Sequence, residues 1–323
     1  MEKLSQVVLD AFGIQTRCIK KEKGYFLCST ESGLVKVHTT SESFEAIRLQ
    51  HAIKEHLAER GFFQTGRFRL TKTGQPYILI GREAYVATNL PPKQPETNFE
   101  NEDEVIQVFQ SLAHFHIAAS NMPEINIPVA LPLQEIYTRQ LAELTQAGKQ
   151  ARRGSRMSDF DVAFIKHAPH ATKSIEYAIN QIASTNYIPL YKNATNIKSL
   201  CHNALKEENL LVAANTTYIV NFTQATIDLQ LNDLATLIRR YAHRSSKCIP
   251  ANRLIDTYSD IFPLPQDAHH ILHAQLIFPW AFMKLVSQYY SKKRNWTPNG
   301  LINRMDTTLA EQESYESYIS ALT

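Results

Sequence analysis

The stretch CHNALKEENLLV, residues 201–212, sets His202 and Asn209 at the two ends of a short loop in which position 204 is alanine and Glu207 and Glu208 are the acidic residues. Its surroundings decide how it should be read. Downstream, LLVAANTTYIVNF places two runs of β-branched and apolar residues around Asn215-Thr216, the pattern of a short hairpin. In NDLATLIRRYAHR, Leu234, Leu237, Ile238 and Tyr241 then recur at helical spacing behind Asn232 or Asp233, either of which could cap the start. A small hairpin is therefore expected inside an otherwise helical region.

Working outward toward the N-terminus, residues 132–185 read as at least two helices separated by the basic segment GKQARRGSRMSD, 148–159. Before them, NEDEVIQVFQSLAHFHIAAS lines up Val105, Val108, Phe109 and Leu112 as the buried stripe of a helix. The polar, proline-containing PPKQPETNFENEDE marks a boundary near 90–100. Ahead of it the chain is rich in strands. After a first helix, TRCIKKEKGYFLCSTESGLVKVHTT divides into three strands at Lys23-Gly24 and Ser32-Gly33, and FRLTKTGQPYILIGREAYVATNL supplies two or three more, the Thr73-Gly74 turn joining the first pair and Gly81 a later turn. One helix lies between the two groups, with Phe44, Ile47, Ile53 and Leu57 near one face, Ser41 or Ser43 at its start and Gly61 at its end. No internal repeat is present.

Bulk composition narrows the class. A chain of 323 residues with 44% hydrophobic and 20% charged residues can bury a sizeable interior, and its length favours two domains over one. The net charge of +3 is mild and mixed along the chain, which gives no electrostatic case for nucleic acid. No apolar run of spanning length points to a membrane, and the amphipathic MEKLSQVVLDAFGIQ lacks the features of a signal peptide, so synthesis in the cytoplasm is expected. Cys18, Cys28, Cys201 and Cys248 are scattered, indicating neither a disulfide framework nor a zinc site.

The order of these pieces, together with CHNALKEENLLV and IVNFTQATIDLQLNDLATLIRR, resembles the H-G-D-x-x-x-x-N loop and following D-F-D segment of aminoglycoside phosphotransferase and choline kinase relatives. HLAERGF, TKTGQPY and LAHFH are further similar to spore coat proteins of the CotS/YutH type within that superfamily. The resemblance implies an α+β, two-lobed protein kinase-like fold: an N-lobe at 1–92 with an antiparallel sheet plus one helix, and a larger, mainly helical C-lobe at 93–323 containing the altered loop. It also implies a role in sporulation, with synthesis in the mother-cell cytoplasm, deposition in the spore coat, and other coat proteins as partners.

Phosphoryl transfer in this fold requires a carboxylate to accept the nucleophile's proton, oxygen ligands for magnesium and a lysine on the phosphates. By the resemblance, the proton acceptor's position is Ala204, whose methyl group cannot take a proton, and the metal-holding aspartate's position is Asn221. Magnesium favours anionic oxygens, so Asn209 with Asn221 is a poor cage unless nucleotide phosphates supply most of the coordination. No cofactor is expected, although weak binding of ATP with magnesium stays open. Lys36 has the position of the phosphate-pairing lysine, with Glu45 its partner and Glu55 a second choice; equally, it reads as a strand-edge lysine with its head in water. Glu207 or Glu208 could stand in for the absent carboxylate, but they lie three and four residues beyond it. Gly24 and Gly33 do not make a G-x-G-x-x-G loop. Asp228 and Asp233 remain and, with His202, are expected to support the loop structurally. The sequence therefore suggests a pseudokinase acting as an interaction component, with two alternatives: an atypical small-molecule phosphotransferase, or a protein that binds a nucleotide or metabolite without turnover.

Other features have plainer readings. His269 and His273, one helical turn apart, are expected on a polar helix surface, SKKRNW (291–296) as a solvated basic face, and Pro279 as a kink in a buried helix.

Overall fold

The computed structural model describes residues 2–22, 24–90, 96–153, 157–213, 216–246, 248–290, 298–320 and 322. Helix α1 (Glu2–Ala11) precedes strands β1 (Cys18–Glu22), β2 (Tyr25–Thr30) and β3 (Gly33–Thr40), helix α2 (Phe44–Glu59), and strands β4 (Phe68–Arg69), β5 (Ile78–Ile80) and β6 (Glu83–Leu90). Helices α3 (Glu102–Ala118), α4 (Leu133–Ala151), α5 (Asp159–Ala183) and α6 (Tyr187–Asn196) follow. Next come β7 (Leu200–Cys201), β8 (Leu210–Ala213), β9 (Thr216–Ile219) and β10 (Thr226–Ile227), then α7 (Leu231–Ala242), α8 (Ala251–Ser259), α9 (Ala268–Ile277), α10 (Trp280–Tyr290) and α11 (Pro298–Ser320). This is the mixed α+β class expected, with an antiparallel sheet in the N-terminal region and a mostly helical remainder.

The sheet has six strands in the order β1-β2-β3-β6-β4, with β5 also paired to β6. Period-2 alternation sorts its residues onto two faces. Cys28, Val35, Val37, Tyr85 and Ala87 pack with Val8 and Leu9 of α1 and with Phe12 just after it in one core. Lys36 and His38 alternate with those valines; they lie opposite Leu27 and Tyr25 on β2, and opposite Thr88 and Val86 on β6. The other face of the sheet is thereby polar. The Thr73-Gly74 turn does not make a hairpin, because β4 and β5 each pair with β6 and not with one another.

By packing, the chain divides into one unit of residues 1–128 with 197–227 and a second of 129–196 with 228–323. This division differs from the boundary expected at 92/93. Backbone bonds explain why the loop segment belongs with the sheet: Thr97 donates from its N and Oγ1 to Leu210 O at 3.0 and 2.8 Å. Ile219 N donates to Gln64 O at 2.8 Å and Leu200 N to Ala119 O at 2.8 Å. Phe115 of α3 adds an aromatic contact to Phe62 at 5.7 Å and to Phe222 at 5.9 Å. Pairings this distant in sequence leave no compositional mark at a boundary.

Helix ends show where local signals held. Ser43 caps α2 by accepting from Ala46 N, and Gly61 follows at φ +88°. At α7 the cap position is Gln230, so Asn232 and Asp233 lie inside the helix, with Asp233 fully buried. Pro279 does not kink a helix; it separates α9 from α10. Helix α4 runs on to Ala151, taking up the start of the basic segment read as a loop, of which 154–156 lie outside the described residues. The same holds for Lys23, residues 91–95, Asn215 and the basic run 291–296.

In the second unit, α4 packs on α5, α5 on α9, and α7 on α9. Ser158 closes a capping box with Asp161 at the start of α5, and Asp161 Oδ1 also accepts from Tyr290 at 2.7 Å. His269 is exposed as expected, whereas His273 is buried, its Nδ1 3.4 Å from the Tyr177 hydroxyl.

Candidate functional site

In the first unit, the loop between β7 and β8 and the turn after β9 come together. His202 is fully buried, its ring 5.0 Å from that of Phe222 and 6.4 Å from that of Phe115. Its Nδ1 accepts from Ala204 N at 3.2 Å, so the proton resides on Nε2, which donates to Val220 O at 2.9 Å. With both nitrogens used in this way, His202 fastens the loop to the strand after it. Asn203 and Asn221 adopt left-handed backbone conformations, φ +58° and +67°. Both have the residue type that tolerates this best after glycine.

The two asparagines at the metal positions form a closed circuit whose orientation follows from its neighbours. Asn209 faces the Ala204 carbonyl at 2.8 Å, and a carbonyl can only accept, so this end of Asn209 is Nδ2. Its Oδ1 therefore turns to Asn221, which must present Nδ2, and does so at 3.2 Å. Asn221 Oδ1 in turn accepts from Thr223 Oγ1 at 2.8 Å. The backbone closes the ring, Val220 N donating to Asn209 O at 2.9 Å. Each of the two side-chain oxygens accepts one hydrogen bond, and neither carries charge. The pair is therefore a weak donor set for magnesium, which favours anionic oxygens, and among the described residues no cluster of three or more His, Cys, Asp or Glu side chains could hold a metal.

A cavity of about 670 Å³ lies in the same unit, bounded by the polar face of the sheet, by Gln50 and Lys54 of α2, and by Glu208, Asn209 and Asn221. Lys36 lines it, with Nζ 4.8 Å from the centre of the Tyr25 ring. The ion pair with Glu45 is not formed: Glu45 is exposed, and no carboxylate among the described residues bonds Lys36. Glu55 is engaged instead by Arg67, whose Nε donates to it at 2.9 Å. Glu208 lines the cavity, but its carboxylate is bonded to Lys206. His38 Nδ1 is buried and has no hydrogen-bond partner among the described residues; burial, then the charges of Lys36 and Lys54, hold its pKa down to about 4.

Lys54 was missed in the sequence. It is 4% exposed, donates to Gly66 O at 3.1 Å and lies 3.8 Å from the centre of the Phe68 ring. Burial lowers its pKa to about 7, against the opposing pull of Glu42 and Glu55. The signal was present: Ile47, Gln50, Lys54 and Leu57 form one stripe at helical spacing, and two of its members are polar. Glu42 accepts from Gln50 at the cavity wall.

The remaining predicted site residues lie in the second unit. Asp228 accepts from Leu229 N at 2.7 Å and from Asn232 Nδ2. Burial raises its pKa to about 7, although those two hydrogen bonds oppose the shift. Asp233 is fully buried.

Comparison with known proteins bears on the fold and the family. The family described as "Spore coat putative kinase YutH" matches residues 5–322. No curated protein matches the chain by sequence. Among solved structures, an aminoglycoside phosphotransferase from Alicyclobacillus acidocaldarius is similar with a TM-score of 0.83 at 17% identity, over 98% of this chain and 94% of that one. Spectinomycin phosphotransferase, solved with ADP and spectinomycin, gives 0.61 at 13% identity, over 98% of each chain. A microcompartment-associated aminopropanol kinase gives 0.63 at 10% identity, over 100% of this chain and 98% of that one. At these identities the likeness shows the kinase-like fold.

Proposed function

The chain belongs to the YutH family of spore coat proteins, and from that premise we propose that it is a kinase-fold coat component that does not transfer phosphate, its altered loop acting as a structural clasp. One observation carries the reading: Ala204 stands where a proton acceptor is needed, beside an Asn209–Asn221 amide pair that bonds to itself. Loss of a general base alone forfeits about 10²–10⁴ in rate. A neutral metal position removes electrostatic stabilisation on top of that. On this reading the protein is made in the mother-cell cytoplasm, joins the coat through contacts with other coat proteins, and engages neither nucleic acid nor membrane.

Two experiments test it. Purified protein incubated with ATP, magnesium or manganese and amino-alcohol or aminoglycoside acceptors should release no ADP above background. Protein-dependent turnover abolished by Glu207→Gln or Glu208→Gln would refute the reading and establish a relocated base. In sporulating cells, a fluorescently tagged copy should ring the developing spore, whereas uniform mother-cell fluorescence would remove the coat assignment.

The cavity supports a second reading, in which a nucleotide or metabolite is held without turnover. Its volume falls in the range of small-molecule sites, and Lys36, joined by Lys54 when protonated, supplies positive charge. Thermal-shift titration separates the two, since a ligand at 100 times its dissociation constant adds about 2.7 kcal/mol of stability. No shift at millimolar ATP, with or without magnesium, leaves the scaffold reading alone.

A further inference from the structure

Arg239, on α7 in the second unit, is a half-buried cation held by neutral groups. Its Nη1 donates to Gln275 O at 3.1 Å and its Nη2 to Thr236 Oγ1 at 3.2 Å, and the cation lies 5.6 Å from the centre of the Trp280 ring. No carboxylate among the described residues bonds it. A guanidinium has five N–H donors to satisfy, and partial loss of hydration leaves those not yet bonded in need of an acceptor. Burial here is deep enough to pull its pKa down, with Tyr315 and Tyr137 the opposing influences.

The residue lines a cavity of about 60 Å³ whose other walls include Trp280, Phe282, Tyr315 and Ile319. A second cavity of about 250 Å³ shares Pro279, Phe282, Gln312 and Glu316 with the first. Glu316 is occupied elsewhere, accepting from Gln312 at 2.7 Å and lying 3.5 Å from His170 Nε2. The smaller volume thus sets one forked cation among mainly apolar walls, while Gln312 and the already bonded Glu316 border both volumes and His167 and His170 line the larger.

We propose that these adjoining cavities bind a small organic acid, its carboxylate paired with Arg239 and its short hydrophobic body lying against Trp280 and Phe282. The planar fork of a guanidinium matches a carboxylate in two parallel hydrogen bonds. The apolar walls discriminate against a fully hydrated anion such as phosphate, which would lose its solvation with nothing to replace it. This site is independent of the loop described above and of whether that loop performs chemistry.

The sequence holds two tryptophans, Trp280 and Trp296, so a Trp296→Phe variant of the full chain leaves Trp280 as a fluorescence reporter beside Arg239. Phenylacetate, its neutral counterpart phenylethanol and inorganic phosphate are titrated separately near neutral pH at constant ionic strength. Phenylacetate should give a saturable change in Trp280 emission and a matching calorimetric signal, with the other two at least about tenfold weaker. Arg239→Lys, which keeps the charge but loses the fork, should weaken phenylacetate by about tenfold or more. If that variant does not fold, selectivity in the parent decides. The proposal is overturned by no saturable response to phenylacetate up to about 10 mM, by equal binding of the alcohol, by tighter binding of phosphate, or by unchanged affinity in a folded Arg239→Lys protein.

Discussion

Replacing Asn221 by aspartate should weaken the fold in a manner that depends on both pH and magnesium. In the native circuit Asn221 Nδ2 donates to Asn209 Oδ1 at 3.2 Å. An ionised carboxylate at position 221 has no hydrogen to give, so two acceptors would face each other. Asn209 cannot relieve this by turning over, because its own Nδ2 is held by Ala204 O at 2.8 Å. Thr223 can still donate to the new carboxylate, so one bond survives. The lost hydrogen bond and the facing acceptor together should cost about 2 kcal/mol at neutral pH. That corresponds to a fall in Tm of about 4–8 °C for a unit of this size. Protonating the carboxyl restores a donor, which raises its folded-state pKa above the unfolded value of about 3.9. The variant should therefore match the parent below that value and lose stability as pH rises through the folded-state pKa. Magnesium at millimolar concentration should leave the parent's Tm unchanged and recover part of the variant's, since the new oxygen is anionic. Scanning calorimetry across pH, with and without the ion, measures all of this. A variant as stable as the parent at neutral pH without metal, or a deficit that does not change with pH, would refute the amide circuit as described.

Three further outcomes are expected. Lys54→Met should remove the rise in stability between about pH 7, the folded-state pKa, and pH 10.5, the ordinary value, because over that window the unfolded chain holds a proton that the buried amine does not; urea denaturation at both ends of the window reads the slope. Asp228→Asn should abolish a loss of stability between about pH 4 and pH 7, where the raised folded-state pKa keeps the buried carboxyl protonated after the unfolded one has ionised, and denaturation midpoints at the two values check it. Gly66→Ala should destabilise by about 1–3 kcal/mol, because φ is +62° and an added Cβ would meet Thr88 Cγ2 and Val220 Cγ1 at 3.4 Å; the shift in denaturant midpoint measures it.

Much of the architecture was legible because it rests on local patterns. The alternation in GLVKVHTT separates Val35 and Val37 from Lys36 and His38, and a histidine–asparagine frame around the alanine at 204 marks the loop. Features that depend on distant pairings were not legible. The division of the chain into units turns on Thr97 meeting Leu210, and β7 pairs with β10 through two-residue strands too short to show periodicity. Glu45 illustrates a different limit: helical spacing permits it to face the sheet, yet the helix turns Gln50 and Lys54 inward instead. Lys54 itself went unnoticed because lysine is ordinarily a surface residue, and only its place on the apolar stripe betrays it. The Arg239 site had no sequence signal, since Trp280, Phe282 and Tyr315 lie far from it along the chain and any one of them alone reads as core.

A circuit assembled from amides, a hydroxyl and main-chain groups contains nothing that titrates or dissociates. A metal pocket built from carboxylates must balance its charge with a cation, and so draws on the supply of free ion around it. On the proposed reading this chain has no such dependence at its loop, and would keep its shape in surroundings where that ion has been exhausted or chelated away.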